Sequence, residues 1–144
     1  MSPYIIPGII GNPNLDFKGI IKMVLSYFDI TEDELRKKSR KSEVVFARKL
    51  VYYFAIKYTP LSSKEIGKYF RQDHTTALHA AKKLHEYIKI KDAQTIDLFY
   101  PFFQQMVNQY VLFEYVDFDK KEAKRKSKLI VREYKRITQY KMIN

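Results

Sequence analysis

Cysteine is absent from this chain, which excludes a disulfide framework and any thiolate metal site, and permits a reducing compartment without requiring one. Glycine is scarce: only four occur, and after Gly19 the sole one is Gly67, while prolines stand at 3, 7, 13, 60 and 101. So few breakers predict a mostly helical, all-α chain. Histidine occurs at 74, 79 and 85 only, and these spacings do not share one helix face as ligands at i and i+4 would, so no metal is expected. Long apolar runs are missing as well. The longest charge-free stretch, 98–113, contains Pro101, Gln104, Gln105, Asn108 and Gln109 and falls short of the roughly 20 residues a bilayer needs. Residues 1–11 lack a basic start and are broken by Pro3, Pro7, Gly8 and Gly11, so they do not read as a signal peptide. A soluble, cytoplasmic chain with no membrane partner is expected. No Ser/His/Asp set, no phosphate loop and no carboxylate pair with an evident partner is present, so no catalytic residue, enzyme activity or cofactor is expected.

Charge is what the chain has in excess. In 144 residues, 27 Lys and Arg face 16 Asp and Glu, a formal +11 that points to a polyanionic partner. It is distributed in blocks: −3 over 1–35, +11 over 36–91, −5 over 92–119 and +8 over 120–144. The central block is where a polyanion is expected to sit, and the C-terminal block is a separate basic element.

Apolar residues Phe17, Ile20, Ile21, Val24, Leu25 and Phe28 recur at three and four, predicting a helix from Asp16 to about Asp29. Thr31 and Glu34 stand in capping-box register for a short turn of helix, and 36–42, RKKSRKS, reads as a basic loop. Residues 44–58 are apolar on nearly every side, which predicts the central buried helix, ended by Thr59 and Pro60. Ser62 and Glu65 form a second capping box, opening a short helix in which Gly67 would permit close packing. After Arg71 and Gln72, Asp73 is the expected N-cap of a helix to about Ile90. A short helix, a tight turn and a longer helix is helix-turn-helix organisation. Two further helices are expected at 96–116 and 119–141, the first apolar and aromatic, the second basic.

On a helical wheel, Ala77, Leu78, Ala81, Leu84, His85 and Ile88 fall within one stripe of about 120°, which packs inward. Thr75, Thr76, His79, Lys82, Lys83 and Glu86 fall on the opposite arc. Short side chains at the tip suit base edges in a major groove, and lysines farther along suit phosphates. Asp73 would accept from a base amino group. Ordinary capping would equally explain an Asp followed by two threonines, and His85 reads as a packed core residue.

LSSKEIGKYF followed by DHTTALHAAKKL resembles the C-terminal DNA-binding domain (domain IV) of the bacterial replication initiator DnaA, whose hallmark is an L-S-x-x-E-I-G helix and then D-H-T-T-V-L-H-A. Leu61, Ser62, Glu65, Ile66, Gly67 and Phe70 match in the first helix, and Asp73, His74, Thr75, Thr76, Leu78, His79 and Ala80 in the second. The likeness covers about residues 15–95 and implies a TrpR-like helical core. It implies base reading in the major groove by Asp73, His74, Thr75 and Thr76, and in the minor groove by Arg40 of the basic loop. It implies phosphate contacts for Arg48 and His79, to which charge and position add Lys38, Lys64, Lys82 and Lys83. The family's turn, F-G-G-R-D, is here Phe70, Arg71, Gln72, Asp73: one residue fewer, without glycine, and with Gln72 in place of an arginine. Lys49 replaces a glutamine and Ala77 a larger, β-branched residue.

The organisation expected is therefore an extended segment over 1–14, a helix-turn-helix domain over 15–95 and a C-terminal helical extension over 96–144. The function expected is double-stranded DNA binding by a nucleoid-associated regulator of replication or transcription. It would act without the family's ATPase module, carried by a phage or mobile element. The alternative is an interaction module whose 98–113 segment, with Phe99, Phe102, Phe103, Met106 and Tyr110, dimerises or binds another replication protein. Those residues read more readily as core.

Overall fold

The computed structural model describes residues 12–119. Six helices follow one another: α1 (Phe17–Phe28), α2 (Glu32–Arg36), α3 (Ser42–Tyr58), α4 (Ser63–Phe70), α5 (His74–Lys89) and α6 (Ala93–Gln109). No strand occurs among the described residues beyond an isolated bridge between Asn14 and Val111. The helix starts follow local chemistry. Asp16 accepts from the Gly19 amide at 2.8 Å to cap α1. Both expected capping boxes are formed, Thr31 with Glu34 and Ser62 with Glu65, each satisfying two backbone donors that would otherwise be unpaired.

The centre is α3. From Leu50 to Tyr58 every residue is buried, so the helix is apolar all round because it is surrounded on all sides. α1, α4 and α5 pack against it, and Phe54 meets Phe99, Phe102 and Phe103 of α6 with ring centroids 5.5–6.2 Å apart. Phe54 and Phe102 have no exposed surface, and burying each contributes about 1.5–3 kcal/mol. One core cluster thus runs from Leu15 to Val116, without a break near residue 95. Phe99, Phe102 and Met106 are buried in it and Phe103 and Tyr110 pack against it, which leaves Leu98 and Tyr100 as the exposed large apolar residues of α6.

The expected helix over 96–116 is corrected at both ends. α6 spans Ala93–Gln109, and from Tyr110 the chain is extended. Asp92 caps its start by accepting from the Thr95 amide at 3.1 Å. Pro101 lies inside it, with residues 97 and 101, where the backbone bond is lost, both on an exposed face. Beyond Gln109 the burial pattern changes period, as Leu112, Glu114 and Val116 are buried with less buried residues between them. This is the alternation of an extended strap pressed on a surface. The expected basic helix over 119–141, apart from Asp119, and the first eleven residues of the N-terminal segment lie outside the described residues. No described helix is long and apolar enough to cross a membrane.

Candidate nucleic-acid interface

α4 ends at Phe70, and three residues turn the chain into α5. Arg71 adopts the left-handed conformation, φ 56°, with its amide bonded back to Gly67 and Lys68. This is the position where a helix end usually places glycine, and an L side chain there costs about 1–2 kcal/mol. The turn thus carries a strained arginine where glycine is usual. The turn is closed by the Gln72 amide donating to the Gly67 carbonyl at 2.8 Å, and by the Tyr52 hydroxyl of α3, which donates to the Gln72 side-chain oxygen. Burial pushes the Tyr52 hydroxyl up to about 12, against the lowering effect of Arg48, so it remains a donor through the neutral range.

Asp73 then caps α5, its carboxylate accepting from the Thr75 amide at 3.4 Å. Hydrogen bonds from the Thr75 side chain and backbone hold this carboxyl below its usual value, so it is anionic at neutral pH. His74 Nδ1 lies 3.0 Å from the same carboxylate. Asp73, His74, Thr75 and Thr76 are all exposed, as are His79, Lys82 and Lys83 farther along the helix. Ala77, Ala81 and Leu84, on the other side, are buried against the core. His85 is packed, with its ring against Phe118 at 5.3 Å and its Nε2 3.2 Å from Asp119.

Arg40 and Lys38 are exposed on the loop between α2 and α3, and Lys64 is exposed in the first turn of α4. Arg48, expected to contact phosphate, is half-buried at the base of this loop. Its guanidinium donates to the carbonyls of Leu35, Lys37 and Ser39 at 3.3, 2.5 and 2.8 Å, so it fastens the loop that carries Arg40 to α3. Three convergent carbonyls suit a planar, multi-donor cation and not a point charge. Arg48→Lys is therefore expected to lower stability by about 1–3 kcal/mol and to raise amide exchange over residues 37–41, which hydrogen exchange by mass spectrometry would detect. Unchanged exchange would show that the loop is ordered without it.

A second fastening joins this loop region to the helix-turn-helix. Arg36 Nε donates to the Tyr69 carbonyl at 3.0 Å and its guanidinium stacks 4.6 Å from the Tyr69 ring centroid, while the Tyr69 hydroxyl donates to Glu32. Burial, then Glu32, pushes the Tyr69 hydroxyl above its usual range. The basic loop and α4 are thereby tied to α2. These tying residues, Tyr52, Gln72, Arg36, Tyr69 and Glu32, carry no sequence signal, since their contacts span 20 to 37 positions. Among the described residues, no group of three His, Asp or Glu side chains is placed to hold a metal ion.

The family model described as the bacterial DnaA protein helix-turn-helix matches residues 17–84, from the first residue of α1 to Leu84 within α5. Over these residues the chain is similar to the DnaA-type helix-turn-helix. Among curated proteins, the chromosomal replication initiator protein DnaA of Bacteroides thetaiotaomicron is 38% identical over 85 residues, covering 57% of this chain and 18% of that protein. The same-named protein of Desulfatibacillum aliphaticivorans is 34% identical over 90 residues, covering 62% of this chain and 20% of its own length. That of Oleidesulfovibrio alaskensis is 41% identical over 64 residues, 44% of this chain and 14% of the relative. The chain thus spans a fifth or less of the length of these relatives. The matched residues contain the tip, the turn and the basic loop, whereas the match ends before α6 and the strap.

Proposed function

We propose that this chain binds double-stranded DNA through its DnaA-type core and acts, without catalysis, in the control of DNA replication or transcription. The observation that carries the reading is the two-sidedness of α5. Its N-terminal residues Asp73, His74, Thr75 and Thr76 and its lysines are exposed on one side of a helix whose other side is locked into the core. In this reading α5 enters the major groove. Threonine methyls and hydroxyls meet base edges, the Asp73 carboxylate accepts from a base amino group, and Lys82, Lys83 and His79 meet phosphates. The N-terminal end of α5 adds a favourable field for phosphate. Arg40, held out on the loop that Arg48 fastens, takes the adjoining minor groove. Likeness to the named chromosomal replication initiators supports both the partner and the process.

The test is fluorescence anisotropy with the full chain on a duplex carrying a DnaA-type box, or a site selected from random duplexes, beside a scrambled duplex. Thr75→Ala and Thr76→Ala are each expected to cost about 1–3 kcal/mol on the preferred site and little on scrambled DNA. Lys82→Ala is expected to weaken both duplexes alike and to flatten the salt dependence by about one unit of slope. Equal losses on every duplex for the threonine variants would remove the base-reading claim.

A further inference from the structure

Between α2 and the turn of the helix-turn-helix lies a cleft of about 400 Å³. One wall is Glu32, Asp33, Arg36, Lys37 and Lys38, from α2 and the start of the basic loop, and the other is Phe70 and Arg71, at the end of α4. Four cations thus stand with two carboxylates. Both carboxylates are already engaged, because Glu32 accepts from the Tyr69 hydroxyl and Asp33 lies 3.4 Å from the Lys37 ammonium. Arg36 commits its Nε and its stacking face to Tyr69, which leaves its two terminal nitrogens for an acceptor in the cleft.

Arg71 is the member of this set that the fold does not explain. It is exposed and left-handed, φ 56°, although glycine would close the same turn without steric cost. Among the described residues its guanidinium has no hydrogen-bond or ion-pair partner. A strained backbone kept where the fold does not require it points to a task for the side chain. The place of the cleft suggests which task, since Lys38 stands two residues before Arg40 and Arg71 two residues before Asp73. The cleft therefore lies between the side chain assigned to the minor groove and the tip assigned to the major groove. Adjoining grooves of a duplex are separated by one sugar-phosphate strand, and a chain that reads both must seat that strand between its readers.

We propose that this cleft seats the sugar-phosphate strand between the two read grooves, with Arg71 on one wall and Lys38 and the terminal nitrogens of Arg36 on the other holding its phosphate. The proposal rests on the duplex-binding reading above. Arginine suits the task because its planar fork meets two phosphate oxygens at once, whereas a lysine offers a point charge. A duplex strand is favoured over a soluble polyphosphate because each wall stands two residues from a groove reader, a placement that a free anion would not need. Arg71 then fixes the register of the reading tip on the duplex and carries no sequence preference of its own.

The experiment compares the full chain with its Arg71→Gly and Arg71→Lys variants by anisotropy across a salt series, on the preferred site and on scrambled duplex. Arg71→Gly is expected to bind both duplexes about five- to tenfold more weakly, with a salt dependence flatter by about one unit of slope. Its thermal midpoint should meanwhile hold or rise by about 2–4 °C as the left-handed strain is relieved. A disordered turn would not combine weaker binding with undiminished stability. Arg71→Lys, which keeps the charge, should keep the slope. Duplexes carrying a neutral methylphosphonate at single positions then locate the contact. At one phosphate of the strand between the read grooves, neutralisation should weaken the unaltered chain and leave Arg71→Gly unaffected. An unmoved slope for Arg71→Gly would overturn the proposal, as would losses that add at every methylphosphonate position. An unmoved duplex slope, with loss of thermal stabilisation by inorganic tripolyphosphate, would overturn it in favour of a soluble anion. Failure of the unaltered chain to bind any duplex would sink the duplex-binding reading itself, whereas duplex binding with an unmoved slope would sink only the role of the cleft.

Discussion

Glu114→Ala is expected to destabilise the fold by about 3–5 kcal/mol, the largest effect of any single change considered for this chain. Glu114 Oε2 lies 3.6 Å from Lys57 Nζ, with the two side chains 2% and 10% exposed. The ammonium also donates to the Tyr53 hydroxyl at 3.3 Å and sits 5.4 and 5.6 Å from the Tyr53 and Tyr58 ring centroids. A phenol oxygen and two ring faces stabilise a cation, but they do not neutralise it. Truncating the carboxylate would leave a positive charge in a site with little water, a cost well above the worth of the contact itself. The cause is separable by a second variant. Replacing both partners with apolar residues, Lys57→Met with Glu114→Leu, should return most of the lost stability, because no uncompensated charge remains. Urea denaturation of the three variants would decide it. A loss below about 1 kcal/mol for Glu114→Ala, the range of an exposed pair, would mean that something other than this carboxylate balances Lys57.

The same buried pair shows where the sequence was readable and where it was not. Helix starts were legible because their chemistry is local: Thr31 with Glu34, Ser62 with Glu65 and Asp73 before α5 all satisfy backbone donors within three residues. The inward stripe of α5 was legible for the same reason, since periodicity needs only neighbours. The end of α6 was not, because no glycine or proline stands after Gln109 and residues 110–118 are aromatic and apolar enough to extend a helical pattern. The alternation of Leu112, Glu114 and Val116 places a glutamate at a buried position, and its partner Lys57 stands far away in sequence. The exposure of Asp73, His74, Thr75 and Thr76 at the start of α5 was legible from the cap and the helical period. How they are held was not, because Arg48 bonds carbonyls 9 to 13 positions away and Tyr52 reaches Gln72 across 20. Composition and period do not encode such pairings.

Gly67→Val is expected to cost about 3 kcal/mol, the upper end of overpacking penalties with a β-branched helix propensity added, and to weaken binding to every duplex. Two effects oppose each other at this position, and alanine shows which prevails. In an open helix, replacing glycine by alanine would gain about 1 kcal/mol. Here a Cβ on Gly67 would stand 2.6 Å from the Gln72 carbonyl oxygen and 3.3 Å from the Asp73 carbonyl carbon and oxygen. The obstructing atoms are main chain, so no side-chain rotation can relieve the contact. The turn must move, and with it the Gln72 amide bond to the Gly67 carbonyl and the Asp73 cap that sets the start of α5. Gly67→Ala should therefore destabilise by about 1–3 kcal/mol in spite of its better helix propensity. Because the whole tip is displaced as one piece, the loss of DNA affinity should be larger on the preferred site than on scrambled duplex, whereas the lysines farther along α5 should preserve the salt slope. Thermal denaturation with anisotropy on both duplexes would check this. A Gly67→Ala protein of raised stability and unaltered site preference would show that the short turn can yield to a methyl group, and that α5 is held by its inward stripe alone.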